Sequence, residues 1–318
     1  MHTNHLITLL FYGTITNRIF RHTIKEKGFE IRLKSSLNKA AVIGGDKRQT
    51  YLSEILKREG YEVITYGVSN IQEEKALSLK DALCDVNIIA APVPFFKNGE
   101  VFSQEKKKDL TAEGILQYAP FGCKIFAGSI PQTFLERARE KGISCVDYLK
   151  DNYGVIQNTI AVAEGTLAEA IKRSEENLYR SSCLVMGYGR CGSILVSYLK
   201  RMSCQVAVYE KEDALRARAA LIADDIVNLR ELPAYLERAQ YIFNTVPSMV
   251  LPKALLGYVS ENALILDLAS APGGVDYAEA ERRGIQAVQL PGIPGKYAPM
   301  SSAKILGEVI KRELKESK

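Results

Sequence analysis

The residues Gly187-Tyr188-Gly189-Arg190-Cys191-Gly192 have the types and spacing of a turn that holds a dinucleotide pyrophosphate. The first glycine permits a tight exit from a strand, the second lets backbone approach phosphate without a Cβ in the way, and the third lets the next helix pack close to the sheet. That helix offers unpaired N–H groups and the positive end of its dipole to the anion. The apolar run Cys183 to Met186 reads as the strand entering the turn. Glu210 follows at close to the ~20-residue interval at which a carboxylate meets the adenine ribose. Such a carboxylate repels a 2′-phosphate and favours NAD, whereas the adjacent Lys211 would attract that phosphate; a solvated strand end is the third reading of the pair. The implied cofactor is a nicotinamide dinucleotide, NAD or NADP.

Ligands of open parallel sheets lie at the carboxyl ends of the strands. Two such ends carry small polar groups and free backbone suited to a flat nicotinamide ring: Asn244-Thr245-Val246-Pro247, and Asp267-Leu268-Ala269-Ser270. Asn244 and Asp267 read equally well as residues that satisfy loop backbone. Two further loops are cationic. Arg48 follows Gly44-Gly45-Asp46-Lys47, and Lys296 follows Pro291-Gly292-Ile293-Pro294-Gly295, so a carboxylate substrate has one bidentate and one point-charge partner, with plain solvation as the alternative. Glu164 is a candidate acceptor for a substrate proton, or a partner for a helix dipole if it lies in a first turn. Cys191 is either an activated thiol or a small residue that fits.

The absences narrow the chemistry. All three histidines, His2, His5 and His22, precede residue 39, so the rest of the chain has no imidazole for acid–base work or metal binding. The six cysteines form no CxxC pair and read as reduced thiols of a cytoplasmic protein. The net charge of +5 over 318 residues is small, and the cations alternate with acids, which argues against nucleic acid as a partner. The only early apolar run, Leu6 to Tyr12, is too short to span a bilayer.

These groups must be positioned by alternating strands and helices. From Ala40 onward, short apolar runs alternate with amphipathic segments, which predicts βαβ units. Strands are expected over 40–43, 61–66, 86–90, 124–127 and 144–148, then over 183–186, 205–209, 241–243, 263–266 and 285–289. A helix over 158–179 bridges the halves. The fold class is therefore α/β with two doubly wound parallel-sheet domains: a flavodoxin-like substrate domain over 39–152 and a Rossmann domain over 153–300. A helix within 301–318 is expected to pack back on the first domain, and 1–38 reads as an extension of uncertain status.

Taken in order, AVIGGDKRQ, Ala163-Glu164-Gly165-Thr166, GYGRCG, NTVP, LDLASAPGGVD and PGIPGK resemble the family of dipicolinate synthase A-subunits, from about Lys39 to the C-terminus. The resemblance implies an architecture similar to formate and glycerate dehydrogenases, and an NADP-linked oxidation of dihydrodipicolinate to dipicolinate. It also implies the mother cell of a sporulating bacterium, an oligomer and, as partner, a flavoprotein-like B-subunit. Glu210 and Lys211 stand where the family carries a small residue and then arginine, which leaves NAD open. Another two-domain amino-acid or saccharopine-type dehydrogenase, and a non-catalytic dinucleotide-binding redox sensor, are the alternatives.

Overall fold

The computed structural model describes residues 39–69, 75–270 and 272–316, so the expectations for 1–38 lie outside the described residues. The first sheet uses β1 (Lys39–Ile43), β2 (Glu62–Tyr66), β3 (Ile88–Ala90), β6 (Lys124–Ala127) and β7 (Ser144–Asp147), all parallel, in the order β2-β1-β3-β6-β7. Helices α1 (Lys47–Arg58), α2 (Leu79–Ala82), α3 (Ala112–Tyr118) and α4 (Gln132–Glu140) join them. A small antiparallel hairpin, β4 (Phe96–Lys97) with β5 (Glu100–Val101), interrupts the pattern. Two-residue strands carry no readable alternation, so nothing in the sequence announces the hairpin.

The second sheet orders β8 (Ser182–Met186), β9 (Gln205–Tyr209), β10 (Asp225–Val227), β11 (Tyr241–Asn244), β12 (Leu264–Asp267) and β13 (Gln286–Gln289) as β10-β9-β8-β11-β12-β13. Its helices are α6 (Arg190–Arg201), α7 (Asp213–Ala219), α8 (Leu232–Arg238), α9 (Lys253–Leu256) and α10 (Tyr277–Arg282). The strand order reverses between β8 and β9 on one side and β11 on the other, the place where Rossmann folds open a crevice. The first sheet has the flavodoxin order with its own reversal at β1 and β3. All ten strands expected from the sequence are present; β10, a short edge strand among acids, was not among them.

Period-two alternation explains why such short runs suffice. In β1, Ala41 and Ile43 join one core while Ala40 and Val42 join another on the opposite face. In β8, Cys183 and Val185 face one layer and Leu184 and Met186 the other. A strand buried on both faces needs helices on both, which the βαβ crossovers supply.

The halves are joined by α5 (Asn152–Arg173), which starts and ends about two turns earlier than the sequence suggests. Asp151 sets the start by capping the Gly154 N–H, and the helix stops at Ser174. Beyond α11 (Ile293–Tyr297), α12 (Pro299–Glu316) places Ala303, Leu306, Val309 and Ile310 in the same core as Leu52 and Leu56 of α1. Gly307 makes this packing close, since a Cβ there would sit 3.1 Å from Ile55 Cγ2. Ile310 is 1% exposed. Ile310→Ala should therefore lower the stability of the first domain by about 2–5 kcal/mol, read as an earlier urea midpoint.

Candidate dinucleotide site and cationic cleft

The glycines of the 187–192 turn divide the work expected of them. Gly187 has φ +94°, and a Cβ there would lie 2.6 Å from Thr245 Oγ1. Gly192 sits under its own turn: a Cβ would come within 2.1 Å of the Gly187 carbonyl oxygen. Gly189 is the opposite, with nothing within 4 Å of a built Cβ. The turn is thus walled at both ends and open in the middle. Gly189 is the N-cap of α6 and has no side chain to offer, so the first N–H groups of the helix face that opening without a side-chain cap. A diphosphate fits this donor set.

Glu210 holds the turn from behind. One carboxylate oxygen accepts the Tyr188 N–H at 2.7 Å, and the other accepts the N–H groups of Lys211 at 2.6 Å and Glu212 at 3.0 Å. These bonds outweigh the desolvation that opposes them and keep the carboxyl below its usual range, hence ionised. Of roughly four lone-pair sites on a carboxylate, one remains for a ribose hydroxyl. Lys211, next in the chain, and Arg190, at the start of α6, are exposed.

At the ends of β11 and β12 the polar side chains are occupied. Asn244 and Asp267 are both 0% exposed. Asn244 donates to Asp267 at 2.8 Å and to the Val246 carbonyl at 3.1 Å, and accepts the Val246 N–H at 3.0 Å. Asp267 also accepts the N–H groups of Ala269 and Gly274 and the Tyr277 hydroxyl. Both residues shape the loops, the second of the two readings, and of their polar atoms only Asn244 Oδ1 keeps an unspent lone pair. Thr245 Oγ1 donates to the Met186 carbonyl at 3.0 Å, directly beside the glycine turn. Val246 is half-buried, Pro247 exposed, Ala269 buried and Ser270 exposed, so backbone and small side chains form this rim.

The two cationic loops do meet. They line a cleft of about 490 Å³ with Asp46, Lys47, Arg48, Pro94, Lys97 and Gln104 on the first domain and Gly295 and Lys296 on α11. A Cβ on Gly295 would lie 2.5 Å from Asp46 Oδ2, so only glycine allows the loops this close. Yet neither Arg48 nor Lys296 is the free clamp expected. Arg48 is 6% exposed and forks onto Asp46 through Nε at 2.9 Å and Nη2 at 2.8 Å, with Nη2 also donating to the Val93 carbonyl. Only its Nη1 group is unengaged. Lys296 donates to Glu169, which also accepts Tyr297 and, at 2.8 Å, Arg173. Glu169 is 1% exposed, and its bonds to Lys296 and Tyr297 hold its carboxyl down at about 2. The cations of the cleft that have no ion pair among the described residues are Lys47 and Lys97, the latter 5.8 Å from the Phe102 ring centroid.

Two other expectations change. Glu164 lies in the middle of α5, not in a first turn; it is exposed, accepts the Tyr198 hydroxyl at 3.1 Å and does not line the cleft. Of the two readings of Cys191, burial, which pushes its thiol up, favours the small residue that fits. Sequence reasoning misses Glu169, Lys47, Lys97 and Tyr297. Glu169 has a signal, because it falls on the buried face of α5 with Thr166 and Ala170.

Residues 39–149 match the family described as the N-terminal domain of the dipicolinate synthase A-subunit. Over 289 residues the chain is 30% identical to the dipicolinate synthase A-subunit of Bacillus subtilis (strain 168), covering 87% of this chain and 96% of that protein. The chain belongs to the dipicolinate synthase A-subunit family. A crystal structure of the A-subunit from Bacillus halodurans superposes with a TM-score of 0.79 at 26% identity, covering 87% of this chain and 97% of that one. A D-lactate dehydrogenase with NAD+ from Lactobacillus jensenii shares the fold, with a TM-score of 0.53 at 13% identity over 86% of this chain and 94% of that chain. Among the described residues of this family member, no helix is long and apolar enough to cross a membrane.

Two outcomes follow. Gly189→Ala should leave the thermal midpoint unchanged and abolish dinucleotide binding, while Gly192→Ala should lower both, as read by melting curves and calorimetric titration. Glu169 has its folded pKa depressed from 4.5 to about 2, so its contribution to stability is complete above pH 4.5 and lost as pH falls toward 2. The stability gap between the wild type and Glu169→Gln should be constant above pH 4.5 and shrink below it, measured by urea midpoints.

Proposed function

We propose that the chain is the dehydrogenase subunit of a dipicolinate synthase, oxidising dihydrodipicolinate to dipicolinate with NAD or NADP. It would act beside a flavoprotein-like B-subunit, in the cytoplasm of the mother cell of a sporulating bacterium. The observation that carries this reading is the open Gly189 cradle in the same chain as a cleft whose Lys47 and Lys97 have no ion pair among the described residues. A redox dinucleotide and a small dicarboxylate have complementary places there. Family membership supports the same substrate.

A bound nicotinamide would supply an acceptor for a hydride from a ring carbon of the substrate. The remaining proton leaves to water, and the substrate ring becomes an aromatic pyridine. Aromatisation supplies much of the driving force, so the residues of the chain mainly align the ring. Lys47, Lys97 and the Nη1 group of Arg48 hold the carboxylates. Asp46 fixes the plane of the Arg48 guanidinium, and Glu169 holds Lys296 in the wall of the cleft. No side-chain base is assigned; Glu164, bonded to Tyr198, is not placed to serve.

The test is turnover. Purified chain, with and without the B-subunit, is given dihydrodipicolinate and either NAD+ or NADP+, and nicotinamide reduction is followed together with pyridine formation. One reduced nicotinamide per dipicolinate is expected; reduction of neither coenzyme under any combination overturns the reading. The double variant Lys47→Ala, Lys97→Ala should raise KM roughly tenfold or more with kcat changed less, because the lysines bind ground and transition states alike.

A further inference from the structure

Next to the cleft lies a second cavity of about 120 Å³, lined by residues of both domains. Arg48, Val93 and Tyr148 come from the first domain, Asn158, Thr159 and Val162 from α5, Ser302, Ile305 and Leu306 from α12, and Cys191 from the first turn of α6. It thus runs from the Arg48 guanidinium to the helix that carries the dinucleotide turn. Its walls are mainly aliphatic. Its volume is close to the roughly 150 Å³ at which an apolar cavity accepts benzene.

One buried polar group in its lining is unsatisfied, and a second, Arg48, has donors to spare. Tyr148 is 3% exposed, and its hydroxyl has no hydrogen-bond partner among the described residues. Leaving such a group unpaired is unfavourable, so its presence calls for an explanation. Arg48, 6% exposed, has five N–H donors of which three are spent on Asp46 and Val93, leaving the Nη1 pair. A third polar group is near: Asn158 accepts the Ser302 hydroxyl at 2.9 Å through its oxygen, which leaves its amide N–H groups to donate. All these groups are donors. An apolar slot edged by donors fits a flat ring that carries an acceptor.

We propose that this slot is the seat of the substrate ring, with one ring carboxylate bound by Arg48 Nη1, the Tyr148 hydroxyl and the Asn158 amide. This deepens the function proposed above and rests on it. Burial raises the Tyr148 pKa, so its hydroxyl stays protonated and can only serve an anion as a donor. The slot also explains why Cys191 stands inside the glycine turn: a small thiol in the first turn of α6 leaves room for the ring beside the coenzyme. A larger side chain there would close it.

The slot can be tested through binding alone, apart from turnover. Full-length chain in the presence of NADP+ or NAD+ is titrated calorimetrically with pyridine-2,6-dicarboxylate. Tyr148→Phe removes only the hydroxyl and Val162→Phe fills the slot. The expected result is at least tenfold weaker binding in Val162→Phe and severalfold weaker binding in Tyr148→Phe, with coenzyme affinity within twofold of wild type in both. Unchanged ring binding in Tyr148→Phe overturns the slot even if Val162→Phe fails to fold, and so does a wild type that does not bind the pyridine. If the wild type oxidises dihydrodipicolinate while both variants keep its KM, the slot is wrong and the proposed function stands. If the wild type binds the pyridine in the slot but reduces no coenzyme, the function falls and the slot stands.

Discussion

The buried carboxylate of Glu169 constrains everything built at the domain junction. An ionised group with 1% exposure is tolerable only if its hydrogen bonds and counter-charges are supplied. Arg173 supplies one from its own helix, while Lys296 and Tyr297 come from α11. The short helix α11 must therefore sit on α5. Gly165 makes room for it, since a Cβ at that position would lie 2.3 Å from Ile293 Cγ2. Once α11 is seated, Gly295 lies against Asp46 and Arg48 of the first domain, and a wall of the cleft is complete. A charge in the connecting helix thus decides where a loop from the far end of the chain meets the first domain.

The electrostatics of the cleft follow from the same pairings. Asp46 caps α1, accepting the Arg48 N–H at 3.0 Å, and its carboxylate also grips the guanidinium of the same residue. Arg48 and Lys296 are held in place by their carboxylate partners, and the cleft cations without an ion pair among the described residues are Lys47 and Lys97. On the second domain the open donors are backbone groups: Glu210 clips the glycine turn, Thr245 flanks it, and the first N–H groups of α6 have no side-chain cap. Backbone donors fixed by packing need little reorganisation when the ligand arrives.

Much of this is legible in the amino-acid sequence alone. Runs such as Ala40 to Ile43 and Cys183 to Met186 are apolar throughout because both faces are buried, so the strands of both sheets can be read, and with them the domain order. The glycine turn is legible because its three glycines answer three separate steric demands. What stays hidden depends on partners far apart in the chain or on how a side chain turns. Arg48 and Lys296 look like free cations because nothing local reveals that Asp46 turns back onto Arg48 or that Glu169 reaches Lys296. Asn244 and Asp267 look like ligand groups for the same reason: their mutual bond joins adjacent strands. The hairpin of β4 and β5, which brings Lys97 into the cleft, is too short for any periodic signal.

The central claim is that the backbone amides opening α6 hold the diphosphate of a nicotinamide coenzyme. Amide hydrogen exchange of the full chain, with and without saturating NADP+ or NAD+, tests it directly. The account predicts that exchange slows at residues 189–192 on addition of one coenzyme or the other, with little change across α3 and α4. Unaltered exchange at 189–192 with both coenzymes would contradict it.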